Sequence, residues 1–208
     1  YSVYLDPLSD YFMEEELVNH IYSILPGKDS PQAEFFTGTA ESVGHSIISA
    51  LTRLSRARGE RVPLTFDDIK KRIGHDDLKR LSESLSMLPN TEDLRHTIDS
   101  FTSNPALQDY YTKISGSLRD GMLKLTMGNT GRIIGKARTN PFIQRLERGQ
   151  RVLFFCTLGS MLTSRVSYVV AKVFVSMIQS LAGRMFARGS KLAVPLCLHL
   201  DEGHNVLY

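Results

Sequence analysis

Two adjacent carboxylates, Asp201 and Glu202, close an apolar run in VPLCLHLDEGHNVLY at residues 194–208. An acid pair at the end of a buried strand suits magnesium–ATP chemistry. One carboxylate holds the metal, usually through water, because magnesium keeps most of its hydration shell. A second group orients the water that attacks the γ-phosphate. Adjacent residues leaving a strand point to different sides, so one acid can face the metal and the next the water. His199 and His204 flank the pair. His199 reads as a hydrogen-bonded core residue, and His204 as a loop residue placed to sense the γ-phosphate or DNA. A zinc-hydrolase reading of HLDEGH fails on spacing, since Glu202 and His204 are two apart and the helical HExxH arrangement is missing.

ATP also needs a loop that cradles its phosphates. The nearest candidate is TGRIIGKA at 130–137, where Thr130 stands in place of the first glycine. Ala137 stands where a magnesium-binding hydroxyl is required, and the upstream segment reads as helix rather than strand. It is rejected as a phosphate loop, so the chain is expected to hold half of a nucleotide site. Basic residues concentrate nearby, with nine between Lys113 and Arg151 against the acids Asp120 and Glu147. Lys113, Arg119, Lys124, Arg132, Lys136 and Arg138 are the candidates for nucleic-acid phosphates; the same residues also fit an acidic neighbouring subunit or a solvated face. Cys156 and Cys197 lack further ligands at metal-finger spacing and read as buried free thiols of a reducing compartment. No Ser/His/Asp spacing points to a nucleophile.

The elements that must position these groups fall into two kinds. From about residue 13 to residue 127 the signals are helical. A helix over 12–25 ends at Pro26-Gly27, and Ser30-Pro31 opens a long one that runs to about Arg58. Thr65 with Asp68 forms a capping pair before a short helix stopped by Gly74. Helices over 76–88, from Asn90, and from Asn104-Pro105 toward Met127 complete an all-α domain of about seven helices. After the Gly-rich, basic GNTGRIIGKARTNPF, the runs RVLFFCTL (151–158) and LAVPLCLHL (192–200) read as buried parallel strands. Met161 to Ala187, broken by Arg165, Lys172 and Arg184, reads as the helix between them, packed on a core rather than spanning a membrane. The expectation is an all-α domain followed by a parallel βαβ unit, with the acid pair at the carboxyl edge where open α/β sheets bind ligands.

Composition sets outer bounds. Apolar residues make up 42% and charged residues 23%, which suits a globular domain and excludes a disordered chain. A net charge of +3 permits a polyanionic partner without requiring one. No signal peptide is legible, a cytoplasmic setting fits, and both ends read as cut from something longer.

The pieces, in order, resemble type IV coupling proteins of bacterial conjugation. YLDPLSD, EEELVNHIYSILPG and EFFTGTAESVGHSIISALTRLSR resemble the segment after the phosphate loop, and NPFIQRLERGQRVLFFCTLG and LCLHLDEGHNV the later part of the same motor. The resemblance implies a RecA-like, homo-hexameric ATPase at the cytoplasmic face of the inner membrane, its anchor outside this chain. Such a protein brings relaxase, relaxosome proteins and single-stranded DNA to a type IV secretion channel. It implies ATP and Mg as cofactors, Asp201 as holder of the magnesium water, and Glu202 as the residue that activates the attacking water. It implies residues 1–12 as the edge of the nucleotide-binding domain, 13–140 as an inserted all-α domain, and 141–208 as the part ending at the Walker B acids. Gly203-His204 follow the acids where that family commonly has a bulky residue. The competing reading is a non-enzymatic helical module that binds DNA or relaxosome proteins.

Overall fold

In a computed structural model the described residues are 5–9, 11, 13–25, 31–59, 64–103, 108–134, 139–157 and 160–200, without the side chains of 31–33 and 160–165. They form α1 (Glu14–Tyr22), α2 (Pro31–Ala57), α3 (Phe66–Lys70), α4 (His75–Leu85), α5 (Glu92–Thr102), α6 (Gln108–Ile114) and α7 (Gly116–Thr126). A 3-10 turn at Thr130–Arg132 leads to α8 (Pro141–Glu147) and α9 (Ser160–Ala187).

The long helix α2 is the axis of the helical unit. Ala40, Val43, Ile47 and Ala50 recur every three or four residues and are fully buried, so one stripe of α2 meets several neighbours at once. Helices α1, α4, α5, α6 and α7 all pack against it. Gly44 lets two of them in close, because a methyl there would sit 3.1 Å from Ile21 and 3.7 Å from Leu118. Helix starts follow local chemistry. Thr65 and Asp68 cap α3 reciprocally, with Asp68 N–H donating to Thr65 Oγ1 at 3.2 Å and Thr65 N–H to Asp68 Oδ2 at 3.0 Å. Asn90 takes a positive φ of 57° at the turn before α5, a conformation its short polar side chain tolerates.

Tyr111 on α6 closes the far side of the core. It is 1% exposed and its hydroxyl donates to the Ile73 carbonyl at 2.7 Å. Burial pushes its ionisation above the ordinary tyrosine range. Tyr111→Phe is expected to lower unfolding free energy by about 1–2 kcal/mol by stripping that carbonyl of its donor. A urea midpoint unchanged at constant m-value is the contrary result.

The parallel βαβ unit is not formed. The chain is 66% helix and the described residues contain no strand and no sheet, only a single parallel bridge between Leu5 and Ile134. The RecA-like expectation is therefore corrected: α9 occupies the place expected for the crossover helix, but 151–157 and 191–200 form neither helix nor strand, with a bend at 193–194. Among the described residues, no backbone hydrogen bond joins them. The reason lies in the packing of alternate side chains. Val152 and Phe154 lie on the helical core while Leu153 and Phe155 turn outward. Phe154 packs on both Phe142 of α8 (5.1 Å) and Phe174 of α9 (5.0 Å), whose rings also meet each other at 5.6 Å. An apolar run fixes extension and burial of one side, yet a strand also needs a neighbour for its N–H and C=O groups. Two side-chain expectations fall with it: Cys156 and Cys197 are exposed rather than buried, and His199 is exposed rather than in a core.

Helix α9 packs through Val173, Met177 and Leu181 on the core, against α1 and α7. Its stretch Val166–Ala187 is long and apolar enough to cross a membrane by length and composition, and half of it is buried within the fold.

Candidate functional site

Asp201, Glu202 and His204 lie outside the described residues, as do Lys136 and Arg138. Of the remaining basic candidates, Lys113 is exposed on α6 and Arg132 is exposed in the 3-10 turn. Arg119, half-buried on α7, lies close enough to Tyr111 for its charge to favour the phenolate. Lys124 is paired with Asp120 one turn earlier on α7. Residues five apart on a helix sit on different sides, so Arg119 and Lys124 do not share a face.

Lys124 instead lines a groove between α7 and α9. Ser117, Asp120, Gly121 and Lys124 share one stripe of α7, and Tyr168, Val169 and Lys172 face them from α9. Ile24 and Leu25, just after α1, form the floor of a cavity of about 260 Å³. The Ser117 hydroxyl is buried there without a hydrogen-bond partner. Two ammonium groups, one carboxylate and the hydroxyls of Ser117 and Tyr168 can hold a small polar group, but contain no nucleophile–base pair. Among the described residues no group of three His, Cys, Asp or Glu is placed to hold a metal ion. Sequence reasoning missed Ser117, Tyr168 and Lys172. Lys172 was legible only as an interruption of the apolar helix, and its alignment with Lys124 depends on the α7–α9 contact.

Two buried polar junctions hold the ends of the helical unit. At the first, residues 5–9 meet Ile133, Ile134 and Asn140. Leu5 N–H donates to the Ile133 carbonyl at 2.9 Å. Asp6 N–H donates to Asn140 Oδ1 at 2.8 Å, and Asn140 Nδ2 donates back to the Asp6 carbonyl at 2.7 Å. Asn140 is the residue before Pro141, the first of α8, but its side chain makes no capping bond to α8 and is given instead to Asp6 at the opposite end of the unit. The Asp6 carboxyl is 1% exposed; Oδ1 accepts from Leu8 N–H at 3.1 Å and Oδ2 has no partner. Burial raises its pKa to about 7; the Leu8 amide opposes the rise and the charge of Asp68 adds to it.

At the second junction α1, α8 and α9 meet. His20 is 1% exposed, with Nδ1 2.8 Å from Ser176 Oγ. Burial, then the charge of Arg184, pushes its pKa down to about 4. Arg184 is 6% exposed and reaches Glu16 of α1 at 3.6 Å and Glu147 of α8 at 4.0 Å. Glu16 has a second duty, since its Oε1 accepts from Met13 N–H at 3.1 Å at the start of α1.

Comparison of the chain with family models, with curated proteins and with solved structures gives no match.

Proposed function

We propose that this chain serves conjugative DNA transfer as part of an ATP-driven coupling protein, its helical unit receiving relaxase, relaxosome proteins and single-stranded DNA for a type IV secretion channel. The resemblance of the ordered sequence blocks supplies the family. The observation that carries the reading is the clasp of Leu5 and Asp6 with Ile133 and Asn140. A helical unit whose two ends leave from one point is what an insertion into a host domain requires, because the host's chain must resume where it stopped. On this reading Asp201 holds the water shell of Mg, Glu202 activates the water that attacks ATP, and His204 senses nucleotide. Hexamerisation, and placement at the cytoplasmic face of the inner membrane, belong to the same reading. The chain lacks the loop that cradles phosphates, so on its own it is expected to leave ATP unhydrolysed.

The test is transfer frequency from a donor cell that carries this sequence. Glu202→Gln is expected to lower transfer at least about a hundredfold, the scale of losing a positioned base, with the protein still present at its usual level. Unchanged transfer overturns the reading. The helix-only character of the described residues favours a second reading, a non-enzymatic module that binds DNA or relaxosome proteins. That reading predicts salt-sensitive binding of single-stranded DNA, weakened by charge reversal at Lys113 and Arg132, with no effect of nucleotide.

A further inference from the structure

From Arg148 to Leu200 the sequence contains no Asp or Glu, while Arg148, Arg151, Arg165, Lys172, Arg184, Arg188 and Lys191 fall within it. Arg184 is engaged with Glu16 and Glu147. Arg148, Arg151 and Lys191 are exposed. The two segments approach at one point: a methyl built on Gly149 would lie 3.0 Å from Ala193 Cβ, which places the turn carrying Arg148 and Arg151 near the segment carrying Lys191. Large apolar side chains adjoin these cations. Leu153 is 83% exposed and Phe155 79% exposed, whereas Phe154 between them is partly buried against the core. Single exposed apolar residues are ordinary; Leu153 and Phe155 stand two apart beside Arg151, and the nearest acid in sequence, Glu147, faces Arg184.

We infer that this face, built from Arg148, Arg151, Leu153, Phe155 and Lys191, binds the surface of an anionic phospholipid bilayer. The guanidinium and ammonium groups meet headgroup phosphates while Leu153 and Phe155 enter the boundary between headgroups and acyl chains. Each half of the patch supplies one of the two signals that peripheral membrane binding needs, apolar insertion and attraction to negative charge. A nucleic-acid surface shares the cations but stacks bases on aromatic faces, which leaves Leu153 without a role. The α7–α9 groove fits neither ligand as well, because Asp120 already pairs with Lys124 there. The inference rests on these residues alone and stands apart from the coupling-protein reading.

The probe is a pair of vesicles, pure phosphatidylcholine and phosphatidylcholine with about one third phosphatidylglycerol, mixed with the full chain and separated by flotation. Binding is expected to the phosphatidylglycerol vesicles only, and to weaken as salt screens the charges. Arg148→Glu with Arg151→Glu is expected to weaken it roughly tenfold or more, and Leu153→Ser with Phe155→Ser by a comparable factor. These side chains are exposed, so helical circular dichroism should not change. The chain has no tryptophan, so Phe155→Trp gives a single indole whose emission should shift to the blue on the anionic vesicles. Absence of binding to them, equal binding to both vesicles, or indifference to either double variant overturns the inference. So does oligothymidylate that binds this face and is unaffected by Leu153→Ser, which assigns the surface to nucleic acid.

Discussion

Asp6→Asn is expected to make the protein more stable at pH 8 by roughly 2–3 kcal/mol and to change it little, or slightly weaken it, near pH 4. The folded-state pKa of Asp6, about 7, stands above the ordinary value of 3.8. Between those two values the folded protein keeps a proton that the unfolded chain has released. The contribution is therefore fully present below about pH 4, is lost as pH rises toward 7, and stays lost above it. The rise from 3.8 to about 7 corresponds to roughly 4 kcal/mol, and asparagine escapes that loss because it never ionises. About 1–2 kcal/mol is returned by the new amide group, which meets no acceptor where Oδ2 had no partner. Urea unfolding at pH 5 and pH 8 measures the difference. Equal pH dependence in the variant and the parent would show that Asp6 is not the group that titrates in the clasp.

Arg184→Met is the second large effect, a loss of about 3 kcal/mol, because it leaves the carboxylates of Glu16 and Glu147 without the cation between them. The same substitution should move the protonation of His20 upward from about 4, since the charge of Arg184 is one of the two causes that hold it down. The sign of the His20 contribution is opposite to that of Asp6. Its folded pKa lies below the ordinary 6.5, so the unfolded chain takes up the proton first. Stability tied to His20 is complete above about pH 6.5 and is lost as pH falls toward 4. In the parent the two groups offset one another between those limits. Imidazole chemical shifts followed against pH, together with urea midpoints for Arg184→Met, test both halves. A variant with the parent's stability and an unmoved His20 titration contradicts the junction described for α1, α8 and α9.

These buried junctions were the least legible part of the sequence. Asp6 and Asn140 are 134 residues apart, and His20 and Ser176 are 156 apart. No local pattern relates residues at such separations, and each alone reads as an ordinary turn or helix residue. Local chemistry was legible where it acts over a few positions. Thr65 with Asp68 specified the start of α3, and Ser30-Pro31 marked the start of α2. The long helix expected over 161–187 appears as Ser160–Ala187. The strands failed for a physical reason visible at Phe154. Its aromatic ring found partners in Phe142 and Phe174, and an apolar run says nothing about whether rings or backbone amides will satisfy it. Among the candidate basic residues, the sequence grouped Arg119 and Lys124 by proximity, whereas the turn of α7 sends one toward Tyr111 and the other toward α9. Asp201, Glu202 and His204 remain expectations of the sequence, outside the described residues.

The clasp also sets how the molecule bears mechanical load. Tension arriving through the backbone at residue 5 and leaving through residue 140 passes across the Leu5–Ile133 and Asp6–Asn140 hydrogen bonds. Helices α1 to α7 lie within the loop that those bonds close, off the direct line of the pull while the bonds hold. The helical unit is thereby shielded from strain in whatever it is attached to, and a few buried hydrogen bonds act as its fuse.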